Sequence, residues 1–384
     1  MEKIENNHKV IVIGGEHHNT LGVIRALGLA GIYSELILIT NTKYTSVKKS
    51  KFISKYVCVH EDTGEVLNAL NSYKGYEDKP ILIPTSDFAA LVIDRNLNEL
   101  KKYFIAPSVG DKQGEMEKYM DKYNQYLLSK ENGIKMAETY KLDLCKNFGY
   151  KKFKNYPYIL KPLVSAINGS KDYMRICRSE RELKQAVEEL RLKGFREVLL
   201  QEYLKYDCEV LIAGCAYNDN IIIPGIIKKK RRYPAGNGTT SLGTIEKVPD
   251  DFLSIRKLVS RLKLQSLFDI ELFYKDGEYY LCEINFRNSG SSYAYTYGGV
   301  NLPYLYTRLA SNQQINDVKT SVGSAFYFRD ENGERRLFMH GNISLREYLL
   351  AKRKSVGLVF DKRDIMPDIY RWVYAAKKRI FRGR

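Results

Sequence analysis

FDIELFYKDGEYYLCEINFR, from Phe268 to Arg287, is two strand-like runs joined by a Lys275-Asp276-Gly277 turn, and it predicts a β-hairpin. Glu271 lies on the first run, Glu283 and Asn285 on the second. Residues two apart on a strand share a face, so the hairpin can set three oxygen-bearing side chains side by side. That is the ligand type a hard cation needs when it also holds phosphates. An ordinary hairpin with acids on its outer face would read the same way, so the sequence upstream has to decide.

The 384 residues are enough for two or three domains, and 44% apolar with 28% charged residues is a globular composition. The opening residues are polar and mixed in charge, and residues 10–15 are too short a run for a signal core. No stretch approaches the roughly 20 apolar residues that span a bilayer. A cytoplasmic protein is expected, with the inner membrane face as a peripheral location. Cys58, Cys145, Cys177, Cys208, Cys215 and Cys282 form no CxxC pair and read as reduced, structural thiols. Five histidines are too dispersed for a zinc site, although His17-His18 falls in a loop. The net charge of +17 points to anionic partners without choosing among them.

Lys9 to Ile13 reads as a buried strand, Leu21 to Gly31 as a helix and Leu36 to Thr40 as a second strand; the pattern continues through residues 56–59, 64–73 and 81–83. Gly14, Gly15 and Gly22 do not make the GxGxxG dinucleotide fingerprint. The loops holding Glu16 to Thr20 and Thr85 to Asp87 should gather at the carboxyl edge of a parallel sheet, which suggests a substrate pocket with Asn19, Thr20 and Asp87 as candidates. From Asp111 the texture is α+β, with expected strands at 158–160, 174–177, 198–201, 209–216, 221–227 and the hairpin, and a helix at 180–193. Expected boundaries are an α/β domain at 1–110, a second domain at 111–320 with a subdomain near 155–205, and a C-terminal extension at 321–384.

Tyr158 to Lys161 delivers a lysine at the end of a strand, just before a loop containing Gly169, Ser170 and Lys171. A fixed cation beside backbone N–H groups can hold polyphosphate, although the loop is not GxxxxGK[ST]. Gln201, Glu202, Tyr203 and Leu204 then form a linker able to meet an adenine edge and its faces, and Glu209 could accept from ribose hydroxyls.

Lys122, Lys161, the 169–171 loop, Gln201 to Leu204, Glu209, Glu271, Glu283, Asn285 and Arg287 follow one another as in the ATP-grasp ligases. The chain resembles that superfamily over about 111–308, closest to carboxylate-amine ligases of the D-aspartate ligase and carbamoyl-phosphate-synthase-like branch, and its first hundred residues are similar to the domain that precedes the grasp. The resemblance implies a parallel α/β domain followed by an ATP-grasp fold of mostly antiparallel sheets. It implies Lys122 and Lys161 on ATP phosphates and the adenine side, Gly169 to Lys171 as the cover over the phosphates, Gln201 to Leu204 on adenine and Glu209 on ribose. Glu271, Glu283 and Asn285 would bind two magnesium ions, and Arg287 would meet the transferring phosphoryl group. Asp172 departs from the family, standing where a glycine usually closes the loop.

Such a site makes a carboxylate electrophilic as an acyl phosphate, with Arg287 and Lys228 neutralising phosphoryl charge and no protein nucleophile needed. Residues 228–241 join five cations to a glycine-rich stretch, read here as a loop. Arg232, Tyr233 and Gly238 become substrate-side candidates, against a plain solvated loop. Tyr293, Tyr295 and Tyr297 could line the acceptor side or sit in the core. Ile369, Trp372, Val373, Ala376 and Ile380 make one helical stripe among cations, which suits either an anionic membrane surface, through residues 369–384, or packing on the protein. The expected function is ATP-dependent coupling of a small carboxylate to an amine, in cell-envelope or surface-polysaccharide assembly, with a lipid- or polymer-linked acceptor among the options. The alternative is a nucleotide- or nucleic-acid-binding module without turnover. Spread-out charge disfavours nucleic acid as a partner, and a homodimer stays open.

Overall fold

A computed structural model describes residues 8–146, 149–163, 173–235, 238–249 and 252–382, with the side chains of 378–382 left aside. Gly169, Ser170 and Lys171 therefore lie outside the described residues. Two compact units emerge: one comprises Met1–Glu115, Val210–Asp269 and Asn285–Arg384, the other Met116–Glu209 and Ile270–Ile284.

The first unit begins with a four-stranded parallel sheet whose order is Ile53–Val59, Ser34–Ile39, Val10–Gly15, Ile81–Pro84. The strands Ser34–Ile39, Val10–Gly15 and Ile81–Pro84 are covered on both faces and read as largely apolar runs, whereas Ile53–Val59 is mostly exposed. Val10, Val12, Leu36, Leu38, Ile81 and Ile83 pack into one core with the helix His18–Leu29. Ile11, Ile13, Ile37 and Leu82 pack into another with the helices Thr63–Asn71 and Asp87–Arg95. Alternation along each strand makes the division. The expected βαβ start holds, with each element's ends shifted by up to three residues.

Further along, Cys208–Tyr217 pairs antiparallel with Ile226–Tyr233, that strand with Thr239–Glu246, and that one with Phe326–Arg329. Two expectations are corrected here. The single strand expected at 221–227 is two elements, Asn220–Ile222 and Ile226–Tyr233, broken around Gly225, where a Cβ would lie 2.4 Å from the Glu246 carbonyl. The basic segment expected as a loop is mostly a hairpin, in register from Ile226↔Glu246 to Tyr233↔Thr239. Its cations are tolerated in a ladder because they are paired: Lys228 with Glu246 at 2.8 Å, and Arg231 with the buried Glu334. Gly238 is required by the tight return, since a Cβ there would stand 2.0 Å from the Tyr233 carbonyl carbon.

Tyr293 and Tyr295 are core aromatics: both are buried, and their hydroxyls donate to Asp361 and to the Gly225 carbonyl. The helix Met366–Arg382 is anchored by Arg25, a fully buried guanidinium that donates to Asp364, Asp368 and the Val359 carbonyl at 2.6–3.1 Å. Removing one partner of such a buried pair typically costs about 3–5 kcal/mol.

In the second unit an antiparallel sheet runs Thr139–Asp143, Glu197–Glu202, Tyr158–Lys161, Arg175–Cys177. The helix Glu180–Leu192 covers it with Leu183, Ala186, Val187 and Leu190, a helical i, i+3, i+4, i+7 stripe, and Ser179 caps its start by accepting from the Glu182 N–H. The hairpin Leu264–Lys275 and Glu278–Asn285 carries the chain through both units, Asp269 and Asn285 belonging to the first and Glu271 and Glu283 to the second.

Candidate functional site

Within the second unit, Lys161 ends the strand Tyr158–Lys161 with its side chain buried, and its ammonium donates to the Gln201 carbonyl oxygen at 2.7 Å. Register explains the meeting, since Gln201 stands opposite Ile159 on the neighbouring strand. The Gln201 amide in turn donates to Thr139 Oγ1 at 2.8 Å, which fixes which end of the amide faces the lysine. Burial pushes Lys161 down to about 8, the nearby Lys122 pushes the same way, and Cys282 and Glu283 oppose. Lys122 is the first residue of the helix Lys122–Glu131, whose start Asp121 caps, and its Nζ lies 3.5 Å from Glu283 Oε1. Burial pushes the Cys282 thiol up to about 12, with Lys161, Glu271, Glu283 and Lys122 all acting on it electrostatically. Two lysines and two glutamates therefore converge around one stretch of Glu278–Asn285.

Gln125 holds this arrangement and was not singled out from the sequence. Its amide donates to the Ile284 carbonyl at 2.9 Å and accepts the Ile284 N–H at 2.8 Å, clamping the helix that carries Lys122 to the strand that carries Glu283. A polar residue on the inner face of a helix was the only available signal. Glu202 accepts from Asn155, and the N–H of Tyr203 donates to the Pro157 carbonyl. Tyr203 and Leu204 lie in the unpaired segment after Glu197–Glu202, Tyr203 exposed and Leu204 half-buried. Glu209 accepts from the Tyr206 hydroxyl at 2.7 Å, while the Tyr206 ring stacks on Phe273.

The first unit holds the other expected residues. Arg287 donates to Asp87 at 3.2 Å and to Asp269 at 3.3 Å, and Asp269 also accepts from the Asn285 amide at 3.4 Å. Asp269 was missed in the sequence reading, although it precedes Glu271 by two and so shares its strand face. Asn19 and Thr20 lie where expected, at the carboxyl edge of the parallel sheet, but their bonds are internal. Asn19 donates to the Thr85 and Asn288 carbonyls and accepts from the Asn288 amide, and Thr20 meets Thr85 at 2.8 Å. They tie the segment after Arg287 to that edge. The His17 and His18 rings lie there 4.0 Å apart and tilted by 37°, and burial pushes each down to about 4, so both are neutral at pH 7. Lys228 is held by Glu246, and Tyr233 lies under the Arg336 guanidinium. Arg232 is half-buried on the Ile226–Tyr233 strand.

The donor sets suit the groups the resemblance implies. The carboxylates of Glu271 and Glu283 are hard oxygen ligands of the kind magnesium takes, and among the described residues no group of three or more His, Cys, Asp or Glu forms a metal-holding cluster. A buried lysine bonded to a neutral amide, with the Lys122–Glu283 pair close by, offers an ammonium of the kind a polyphosphate takes.

Residues 194–326 match a family described as "ATP-grasp in the biosynthetic pathway with Ter operon". Over 177 residues the chain is 34% identical to a D-alanine–D-alanine ligase of Petrotoga mobilis, an alignment covering 43% of this chain and 56% of that protein. The chain thus spans little more than half the length of that relative. Among solved structures, an N5-carboxyaminoimidazole ribonucleotide synthetase in complex with ADP superposes with a TM-score of 0.67 at 15% identity, over 89% of this chain and 87% of that one. An L-amino acid ligase from Bacillus licheniformis gives 0.63 at 13%, over 83% and 79%. At such identities the structural likeness speaks for the fold, and the sequence match speaks for the segment around the hairpin. Residues 194–326 are thus similar to an ATP-grasp family, and the solved structures share the fold of most of the chain.

Proposed function

We propose that this protein is an ATP-dependent ligase that activates a small carboxylate as an acyl phosphate and couples it to an amine or amino acid. The observation that carries this reading is the buried Lys161, bonded to Gln201 beside the Lys122–Glu283 pair. An ammonium enclosed next to another cation is costly unless an anion arrives, and nucleotide phosphates are such an anion.

Lys122, Lys161 and residues 169–171 would hold the phosphates, Gln201 to Leu204 the adenine, and Glu209 the ribose. Glu271, Glu283 and Asn285 would hold two magnesium ions, which supply charge neutralisation at the phosphoryl oxygens. Arg287 and Lys228 would add cationic stabilisation as charge develops on the transferred group. The carboxylate attacks the γ-phosphorus, ADP leaves, and the amine then displaces phosphate from the acyl carbon while losing its proton. Asp87, Arg232 and Tyr233 are the substrate-facing candidates, and Asn19, Thr20 and Gly238 shape the wall behind them. The similarity to a D-alanine–D-alanine ligase favours a cell-envelope product, with a free amino acid or a lipid- or polymer-linked amine as acceptor.

The test is ADP release at saturating Mg-ATP across a panel of carboxylates and amines. Glu283→Gln should lower turnover by about a thousandfold or more with an unchanged melting temperature. Full activity in that variant would remove the metal assignment. Nucleotide binding with no turnover on any pair would favour the binding-module alternative.

A further inference from the structure

Among the described residues, twenty large apolar side chains stand exposed, and eleven of them fall between Met339 and Tyr374, about a tenth of the chain. Elsewhere the exposed set is mostly tyrosine; here it is aliphatic apart from Phe360, Trp372 and Tyr374. Residues 335–384 carry fourteen Lys and Arg against four Asp and Glu, a net +10 out of the chain's +17. Apolar and cationic excess therefore coincide.

The helix Met366–Arg382 is oriented so that both are displayed. Asp368 is buried against Arg25, and Tyr370 and Tyr374 stack on Tyr44 at 5.3 and 3.7 Å, so that side of the helix is fixed to the protein. A helix fixed there turns Ile369, Trp372 and Val373 outward, and they are 37%, 55% and 47% exposed. Trp372 also stacks on the exposed Phe360 at 5.9 Å. By 100° per residue, Ala376 extends the stripe while Lys377 flanks one margin.

We propose that this surface docks on an anionic lipid bilayer, with Ile369, Trp372 and Val373 entering the interfacial layer and the flanking cations meeting lipid phosphates. An apolar stripe bordered by Lys and Arg, with a tryptophan at its centre, fits the water–lipid boundary. Aliphatic side chains offer nothing to nucleic acid phosphates or bases. A second copy of the chain would bring two strongly positive surfaces together. Among the described residues no helix is long and apolar enough to cross a membrane, so the attachment is peripheral.

Trp372 is the only tryptophan, which makes it a built-in reporter. The full chain is mixed with phosphatidylcholine vesicles, or with vesicles that also hold about a third phosphatidylglycerol, and tryptophan emission and flotation are read. A blue shift and at least tenfold greater binding are expected on the anionic vesicles only, with loss in high salt. Val373→Asp and, separately, Met366→Asp should each reduce binding about tenfold without lowering the melting temperature. Lys377→Gln should cost roughly fivefold. Equal binding to neutral vesicles, or no emission change, overturns the proposal; so does a dimer in solution that Val373→Asp dissociates, or RNA that shifts the emission while vesicles do not. Vesicle binding is read without turnover, so it stands or falls separately from ligase activity.

Discussion

In the second unit the Lys161 ammonium is enclosed against a neutral amide and opposed by Lys122, whereas in the first unit the Arg287 guanidinium stands between the carboxylates of Asp87 and Asp269. One cation is bonded to a neutral amide and is acted on by Glu283 only through space, while the other is bonded to two carboxylates. An under-compensated buried cation destabilises the empty protein and repays that cost when an anion binds. A cation pre-paired with carboxylates is held in place and oriented, and it must share its donors to act on a substrate. The contrast teaches that a buried cation can be held by a neutral amide in one unit and by paired carboxylates in the other.

Lys161→Met should weaken nucleotide binding by about a hundredfold or more, measured by calorimetry, while the melting temperature stays level or rises, because a costly buried charge is gone. A large loss of stability instead would mean that Lys161 is structural and that the contrast is mistaken. Next in size is Gln125→Ala, which leaves both backbone groups of buried Ile284 without their partner and should cost about 1–3 kcal/mol in denaturant unfolding. Nucleotide affinity should fall with it, since the same clamp sets Lys122 against Glu283. Asp269→Asn removes one of the two charges that orient Arg287 and should lower turnover about tenfold with little change in nucleotide affinity. An effect on affinity alone would move Asp269 to the nucleotide's side of the comparison.

The smallest effect is a pH dependence. Burial first and Lys122 second push Lys161 down to about 8, below its ordinary 10.5. The folded state therefore binds fewer protons than the unfolded chain between pH 8 and 10.5, so its charge penalty is fully present below 8 and relieved above it. Nucleotide phosphates should raise that value, making binding take up a proton above pH 8 and weaken several-fold by pH 9. Calorimetry in buffers of different ionisation enthalpy reads the proton directly. Absence of uptake in the wild type, or its persistence in Lys161→Met, would place the titrating group elsewhere.

Much of the site was legible because its residues sit on regular strands. Alternation placed Glu283 and Asn285 on one face, and a strand ending in Lys161 ahead of a polar loop located the cation. Misreadings occurred where composition competes with pairing. Residues 228–233 look like a solvated lysine run, but Glu246 and Glu334, distant in sequence, neutralise enough of that charge for a strand to form. Asn19 and Thr20 look free for a ligand, yet Thr85 and Asn288 occupy their hydrogen bonds.

By itself the sequence determined the order of elements, the buried parallel sheet, the hairpin and the residue types that can serve nucleotide chemistry, because periodicity and turn residues act over a few positions. Only the tertiary structure decided which charges are satisfied: that Lys161 faces an amide, that Arg287 is bracketed by Asp87 and Asp269, that Gln125 clamps Ile284, and that one side of the Met366–Arg382 helix is fixed while the other is displayed. Those outcomes depend on partners hundreds of residues away, as between Arg25 and Asp368 at a separation of 343, and no local pattern encodes such meetings.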